Sequence, residues 1–284
     1  MKRIGFIDYY LDEWHANNYP AWIRQRSGGE FEVTSAWGEI PSPRPNGRTN
    51  EQWSKDMGIP LCGSIEELIE QSDVLVVLSP DNPEQHLRLS RLACESGKRL
   101  YIDKTFAPDA ETARAIFAVA DAHNTPCWSS SALRFADAYA GLRGKGITGE
   151  SVRRIHSFGG GELRMYCIHQ IEPIVSLMGC DSRRVMSLGG AEFPSVLIEF
   201  DGGRTAVFNM HPGAGFAMNV EAPDSYHALN IGGNFWDAFI DNLIDFFRTG
   251  RIIVPHEETV EIAAIRDAAI RSLATPYEWV EIIK

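Results

Sequence analysis

No apolar run in this chain approaches the roughly 20 residues needed to cross a bilayer as a helix. Positive charge is also short: 27 lysines and arginines against 38 aspartates and glutamates leave a net charge of −11. A surface so short of cations offers no basic face, so neither nucleic acid nor an anionic membrane is expected as a partner. The five cysteines (Cys62, Cys94, Cys127, Cys167, Cys180) are odd in number and none stands in a CxxC pair. They read as reduced thiols of a cytoplasmic protein. No cluster of histidine, cysteine and carboxylate has ligand spacing, so no metal is expected. Met1-Lys2-Arg3 runs straight into an apolar strand rather than a long apolar segment, so no signal peptide is expected.

The most telling absence lies in the first turn. A strand that feeds a dinucleotide-binding helix wants G-x-G-x-x-G, because glycines let backbone amides approach a pyrophosphate closely. Here Ile4-Gly5-Phe6-Ile7 runs into Asp8-Tyr9-Tyr10-Leu11-Asp12-Glu13, with no glycine in the turn. Acids at a helix N-terminus suit the helix dipole but repel a phosphate placed there. The second strand ends Ala36-Trp37-Gly38, without the acid that usually holds a ribose unless Glu39 serves. Arg44 and Arg48 are alternatives for a 2′-phosphate, or simply solvated loop residues.

What is present is a regular alternation of strands and helices in the first half of the 284 residues. Length alone favours two domains. Strands are predicted over 3–7, 30–36, 73–78, 99–102 and 126–130, and helices over 12–26, 64–71, 83–96 and 109–123. Ser64-Ile65-Glu66-Glu67 is a capping box, and Asp73–Leu78 is apolar enough for a strand covered on both faces. Helices of this length between strands imply right-handed crossovers and a parallel sheet. After about Ser131 the pattern changes to strands at 152–158, 184–188, 195–200 and 205–210, with a helix at 169–178 and two more at 234–248 and 257–273. The fold class is therefore α/β: a Rossmann-like parallel-sheet domain over 1–130, then an α+β domain with an open, mostly antiparallel sheet over 131–284.

Two stretches carry chemistry. Tyr101-Ile102-Asp103-Lys104-Thr105 ends a buried strand with a carboxylate beside an ammonium. Tyr166-Cys167-Ile168-His169-Gln170-Ile171-Glu172 spaces a phenol, an imidazole and a carboxylate three apart, which on one helix would share a face. Ser79-Pro80 stops its strand at the carboxyl end, where open parallel sheets bind ligands, and Asn82 and His86 begin the next helix. Singly, a strand-end lysine is ordinarily a solvated charge and a helix histidine a surface residue. The combination is what points to a site.

From about Val74 onward, the run from Leu75–Pro80 through Cys94-Glu95-Ser96-Gly97-Lys98-Arg99-Leu100-Tyr101-Ile102-Asp103-Lys104-Thr105 resembles the Gfo/Idh/MocA family of NAD(P)-dependent sugar and polyol oxidoreductases. Ser129-Ser130-Ser131-Ala132-Leu133-Arg134-Phe135 resembles its domain crossover, and Gly159-Gly160-Gly161-Glu162 through His169 its second-domain motif. The family typically has Glu-Lys-Pro where this chain has Asp103-Lys104-Thr105, an aspartate where Met165 stands, and another where Glu172 stands. The resemblance implies a small sugar-like substrate between the two domains, NAD or NADP as cofactor, and a homodimer or homotetramer. It makes Lys104 and His169 the catalytic pair. Tyr166 is a third candidate, able to supply a hydroxyl in place of the missing aspartate. Asp8, Tyr9, Tyr10, Ser79, Pro80, Asn82, His86 and Asp103 are the candidate cofactor-facing residues.

The chemistry suits these residue types. Hydride leaves a carbinol carbon only as its hydroxyl proton departs, so a base must stand within hydrogen-bond reach. An imidazole, titrating by reference near ~6.5, takes such a proton close to neutrality. A lysine ammonium, near ~10.4 by reference, stays charged and steadies a developing oxyanion. The expected function is hydride transfer between NAD(P) and a sugar, polyol or related hydroxy compound. The alternative is a cofactor-free protein of the same fold, serving as a ligand-binding or assembly subunit or catalysing elimination or glycoside cleavage.

Overall fold

A computed structural model describes residues 1–190 and 192–284. The chain divides into two compact units. The first comprises Met1–Ala107, Thr112–Ser129 and Ile240–Pro255; the second comprises Pro108–Glu111, Ser130–Phe239 and His256–Lys284. A single cut near residue 130 therefore misses the return of 240–255 to the first unit.

The first unit is built from β1 (Lys2–Asp8), α1 (Trp14–Arg26), β2 (Phe31–Gly38), α2 (Asn50–Met57), α3 (Ile65–Gln71), β3 (Val74–Val77), α4 (His86–Glu95), β4 (Leu100–Ile102), most of α5 (Ala110–Ala122), and β5 (Cys127–Trp128). Its sheet runs in the order β2-β1-β3-β4-β5, with every pair parallel. All four residues of β3 are buried, as a strand covered on both faces requires. Ser64 accepts the amide of Glu67 at 3.2 Å and starts α3 where the capping box predicts. Gly5 is needed for packing: a Cβ there would lie 2.3 Å from Ser72 Oγ and 2.5 Å from a Leu68 methyl. Its absence lets the end of α3 lie against β1.

Several boundaries differ from the sequence reading. The helix expected over 12–26 begins at Trp14, because Glu13 is its N-cap. The segment expected as one helix from Pro83 opens as a 3-10 turn, Pro83–Gln85, before α4. Helix α2 was not expected, although Thr49 and Gln52 form a full capping box at its start. The late return to this unit has an aromatic cause. Phe246 lies 5.9 Å from Trp128, and Phe247 5.8 Å from Phe31, ring centre to ring centre. Arg99 donates to the carbonyls of Phe247 and Arg248 at 2.6 and 3.0 Å, closing that helix end.

The second unit contains α6 (Asp137–Gly144), β6 (Arg154–Gly159), α7 (Leu163–Tyr166), α8 (Ile168–Met178), β7 (Ser182–Ser187), β8 (Ser195–Phe200), β9 (Thr205–Met210), β10 (Phe216–Ala222), β11 (Ser225–Ile231), the start of α9 (Phe235–Thr249), α10 (His256–Ser272) and β12 (Trp279–Glu281). The sheet order is β11-β10-β6-β9-β8-β7-β12. Only β6 and β9 pair in parallel; the other pairs are antiparallel. Alternate residues of β6, β8 and β9 are buried, so one face is covered and the other is not. Ile171, Ile174 and Ile265 share the core with Ile155, Ile198 and Phe208 of the sheet. Strands β10 to β12 and helix α6 were not expected from the sequence.

Candidate functional site

At the carboxyl ends of β1 and β4 a cluster of ionisable groups is closed inside the first unit. Asp8, the last residue of β1, is fully buried, its carboxylate near the amides of Tyr9 and Tyr10 but without a well-formed hydrogen bond among the described residues. Burial, reinforced by the Glu13 carboxylate, pushes its pKa well above the usual range. Glu13, 1% exposed, turns its carboxylate onto the first amides of α1, accepting from His15 at 2.7 Å and from Ala16. Burial pushes Glu13 up to about 7, with His15 pulling against the shift. Asp103, also fully buried, contacts His15 Nδ1 and accepts from Tyr101 Oη at 3.1 Å and the Lys104 amide at 2.8 Å. Burial would raise Asp103, but His15 and Lys104 outweigh it and hold the carboxyl below its ordinary value. The His15 ring stacks on Tyr19, with centroids 4.8 Å apart.

The other candidates of this unit are spoken for in the same way. Tyr10, 5% exposed, reaches across the sheet end and donates to Asp81 at 3.2 Å. Arg44 meets the same carboxylate at 2.9 Å, its guanidinium 5.7 Å from the Tyr10 ring centre. Arg48 is held by Asp12 at 2.6 Å and Asp56 at 3.2 Å, and Glu39 pairs with Arg88. Ser79 is buried in the left-handed region (φ 70°). Asn82 donates to Glu84 at 3.1 Å. His86 is buried, its ring nitrogens within reach of the carbonyls of Leu78 (2.5 Å) and Phe106 (2.9 Å). It ties β3 to the chain after β4 rather than facing a ligand. Lys104 is partly exposed, with Nζ 3.5 Å from the Pro80 carbonyl, and its peptide bond to Thr105 is cis.

These positions do not fit a dinucleotide held in the usual way. The amides at the start of α1 already have a carboxylate, and Tyr10 and Asp81 span the ends of β1 and β3. In this strand order that gap is the switch point where open sheets bind ligands. Asp8 and Asp103, expected to face a cofactor, are both fully buried, Asp103 against His15, Tyr101 and the Lys104 amide. Glu13 was visible as an acid at a helix start; the partnership of His15 with Asp103, 88 residues apart, carried no sequence signal.

In the second unit the motif around His169 is helical with one local interruption. Helix α7 ends at Tyr166 and α8 begins at Ile168, while Cys167 between them keeps helical backbone angles (φ −60°, ψ −26°). Tyr166 is 47% exposed while Glu172 is buried, and they do not present one face. His169 lies between them, partly exposed, with Nδ1 2.8 Å from Ser131 Oγ. Its ring is flanked by Tyr166 at 5.6 Å and Phe216 at 5.7 Å. Gly161 permits this arrangement: it sits at φ +90°, and a Cβ there would come within 2.2 Å of the Tyr166 ring. Gln170 turns inward instead, donating to the Asn209 carbonyl at 3.1 Å. Lys104 belongs to the first unit and His169 to the second.

Below His169 lies a buried charge network. Glu172 accepts from Ser130 Oγ and from the Ser131 amide at 2.6 Å. Arg134, 7% exposed, lies 3.8 Å from Glu172 and 2.6 Å from Glu258. Ser131 thus touches both Glu172 and His169, a role that only the fold reveals. Burial pushes Glu172 up to about 7, against the pull of Arg134 and Ser130. Because the folded pKa lies above the unfolded one, the native state holds the proton more tightly. Its stabilising contribution is complete below about pH 4.5 and is lost as pH rises through about 7. Glu172→Gln should therefore lose less stability than wild type between pH 5 and 8. The gap should be at most about 3 kcal/mol in urea unfolding. Equal slopes for the two proteins would refute the shift.

Among the described residues no group of histidine, cysteine and carboxylate side chains could hold a metal ion, and no helix is long and apolar enough to cross a membrane. No family model matches the chain, and no curated protein matches it in sequence. Solved structures do match in fold. The scyllo-inositol dehydrogenase from Lactobacillus casei superposes with a TM-score of 0.78 at 14% identity, covering 99% of this chain and 98% of that one. The myo-inositol 2-dehydrogenase from Lactobacillus plantarum gives 0.77 at 13% identity, covering 99% of each. The WlbA dehydrogenase from Chromobacterium violaceum, solved with NADH and UDP-GlcNAcA, gives 0.75 at 12% identity, covering 99% of this chain and 96% of that one. At such identities the likeness establishes a shared fold.

Proposed function

We propose that this chain binds a sugar, polyol or related hydroxy compound and moves a proton on it, with His169 as acid–base and Lys104 as the cation that steadies the reacting oxygen. The observation that carries this reading is the setting of His169. A hydroxyl, Ser131 Oγ, orients one ring nitrogen, and two aromatic rings wall the imidazole. Aromatic faces with a nearby polar group suit a ligand that has both C–H surfaces and hydroxyls. Tyr166, half exposed beside His169, supplies a further hydroxyl for the same ligand. The inositol dehydrogenases of the same fold are named for polyol substrates, which supports the same substrate class here.

A second reading, hydride exchange between such a compound and NAD(P), draws support from the fold neighbours, one of them solved with NADH. It requires the dinucleotide to be held otherwise than at the first turn of α1. The test of the main reading is calorimetric titration with a panel of inositols, hexoses, sugar acids and glycosides. At least one should bind the wild type and bind His169→Ala at least roughly tenfold more weakly, the loss of one good polar contact. A panel with no binder would sink the proposal.

A further inference from the structure

We infer that the first unit takes no nicotinamide dinucleotide, because the side chains of Glu13 and Tyr10 occupy from within the two places such a ligand needs. This goes beyond the proposed function and does not depend on it. A dinucleotide sets its pyrophosphate on the opening amides of the first helix, where unpaired N–H groups and the dipole favour an anion. In this chain those amides meet the Glu13 carboxylate, which caps α1 through His15 and Ala16. The anion the helix calls for is part of the chain itself.

Three further features close the same region. Asp8, Glu13 and Asp103 are all acids buried beside this helix start, and Asp103, which keeps its charge, opposes a second anion there. The Tyr10 hydroxyl, bonded to Asp81, and Arg44, paired with the same carboxylate, bridge β1 to the chain after β3. Arg48, the other candidate cation for a 2′-phosphate, is committed to Asp12 and Asp56. Bringing a phosphate in would require breaking the Glu13 cap, the Tyr10–Asp81 bond and the Arg44–Asp81 pair together. Substituting a single side chain would not restore the glycine-lined approach that the turn Asp8–Glu13 lacks. The role left to this unit is that of a scaffold whose interior network, Asp103 with His15 and Tyr101, fixes the strand end from which Lys104 projects.

The experiment uses the wild-type protein. Purified protein is titrated with NAD⁺, NADH, NADP⁺ and NADPH by calorimetry and by nicotinamide fluorescence, up to about 1 mM, the weak end of specific binding. In parallel it is denatured and the supernatant analysed for released nucleotide. The expected result is no heat, no fluorescence change and no released dinucleotide, from a sample that unfolds in one cooperative transition. Saturable binding of any of the four, displaced by ADP, overturns the inference, as does a stoichiometric dinucleotide released on denaturation. The polyol panel separates this outcome from the functional reading. A protein that binds no dinucleotide and no hydroxy compound keeps the inference and loses the proposed function. One that binds both keeps the function and loses the inference.

Discussion

Turnover of the hydroxy compound identified by the panel falls by ~10²-fold or more in His169→Ala and again in Lys104→Ala, as for positioned acid–base and electrostatic groups. The loss should appear in kcat beyond the roughly tenfold weakening of binding expected for His169→Ala, since both groups also act on charge that develops along the reaction. The two side chains start from different positions. His169 is oriented by Ser131 and walled by Tyr166 and Phe216, so removing the ring empties a prepared place. Lys104 is partly exposed, its Nζ at the long distance of 3.5 Å from the Pro80 carbonyl, so its ammonium is loosely held and able to move to an oxygen. Both residues are partly exposed, and neither substitution should shift the unfolding midpoint by more than the ±0.5 kcal/mol usual for such sites. Unchanged turnover in both variants would remove them from the chemistry.

Arg134→Ala costs about 3–5 kcal/mol of stability in urea unfolding, as expected for breaking a buried ion pair. The guanidinium is 7% exposed, with Glu258 at 2.6 Å and Glu172 at 3.8 Å. Truncating it strands Glu172, a buried carboxylate whose remaining partners are the Ser130 hydroxyl and the Ser131 amide. Protonation of Glu172 relieves part of that cost, so the deficit should be larger at pH 8 than at pH 5. Adding Glu172→Gln and Glu258→Gln to Arg134→Met should recover most of the loss, because the penalty comes from unpaired charge rather than lost packing. A cost below about 1 kcal/mol for Arg134→Ala would place the network among surface ion pairs and refute the account.

Some of the site was legible in the sequence. The apolar run Asp73–Leu78 and the box at Ser64 are local signals, and β3 and α3 appear with them. The strand end carrying Asp103-Lys104 and the helix carrying His169 are local signals too, whereas their reading as candidate site residues came from motif resemblance. The missing glycines between Asp8 and Glu13 signalled that a phosphate would be poorly received, and the Glu13 cap gives that warning a geometry. Other assignments failed where burial decides. Asp8 and Asp103 look alike to a cofactor-facing carboxylate in sequence, yet both are fully buried. His86 reads as a ligand residue or a surface residue, and is instead a buried tie between Leu78 and Phe106. Tyr166 and Glu172, each three residues from His169, part company because positions six apart lie about 120° round even a continuous helix, and here one is half exposed and the other buried.

By itself the sequence determined what depends on neighbours along the chain. The parallel alternation of the first unit, the mostly antiparallel run of the second and the cap of α3 follow from periodicity and capping over a few residues, while Lys104 and His169 stand out through the motifs that resemble a known family. Tertiary structure alone decided the pairings made across long separations: Glu172 with Arg134, Ser131 with His169, Asp103 with His15, and Phe246 and Phe247 with Trp128 and Phe31. A side chain's titration and its access to a ligand are set by the groups that surround it in space. Hydrophobic periodicity records which face of an element is covered, but not which charge or ring covers it.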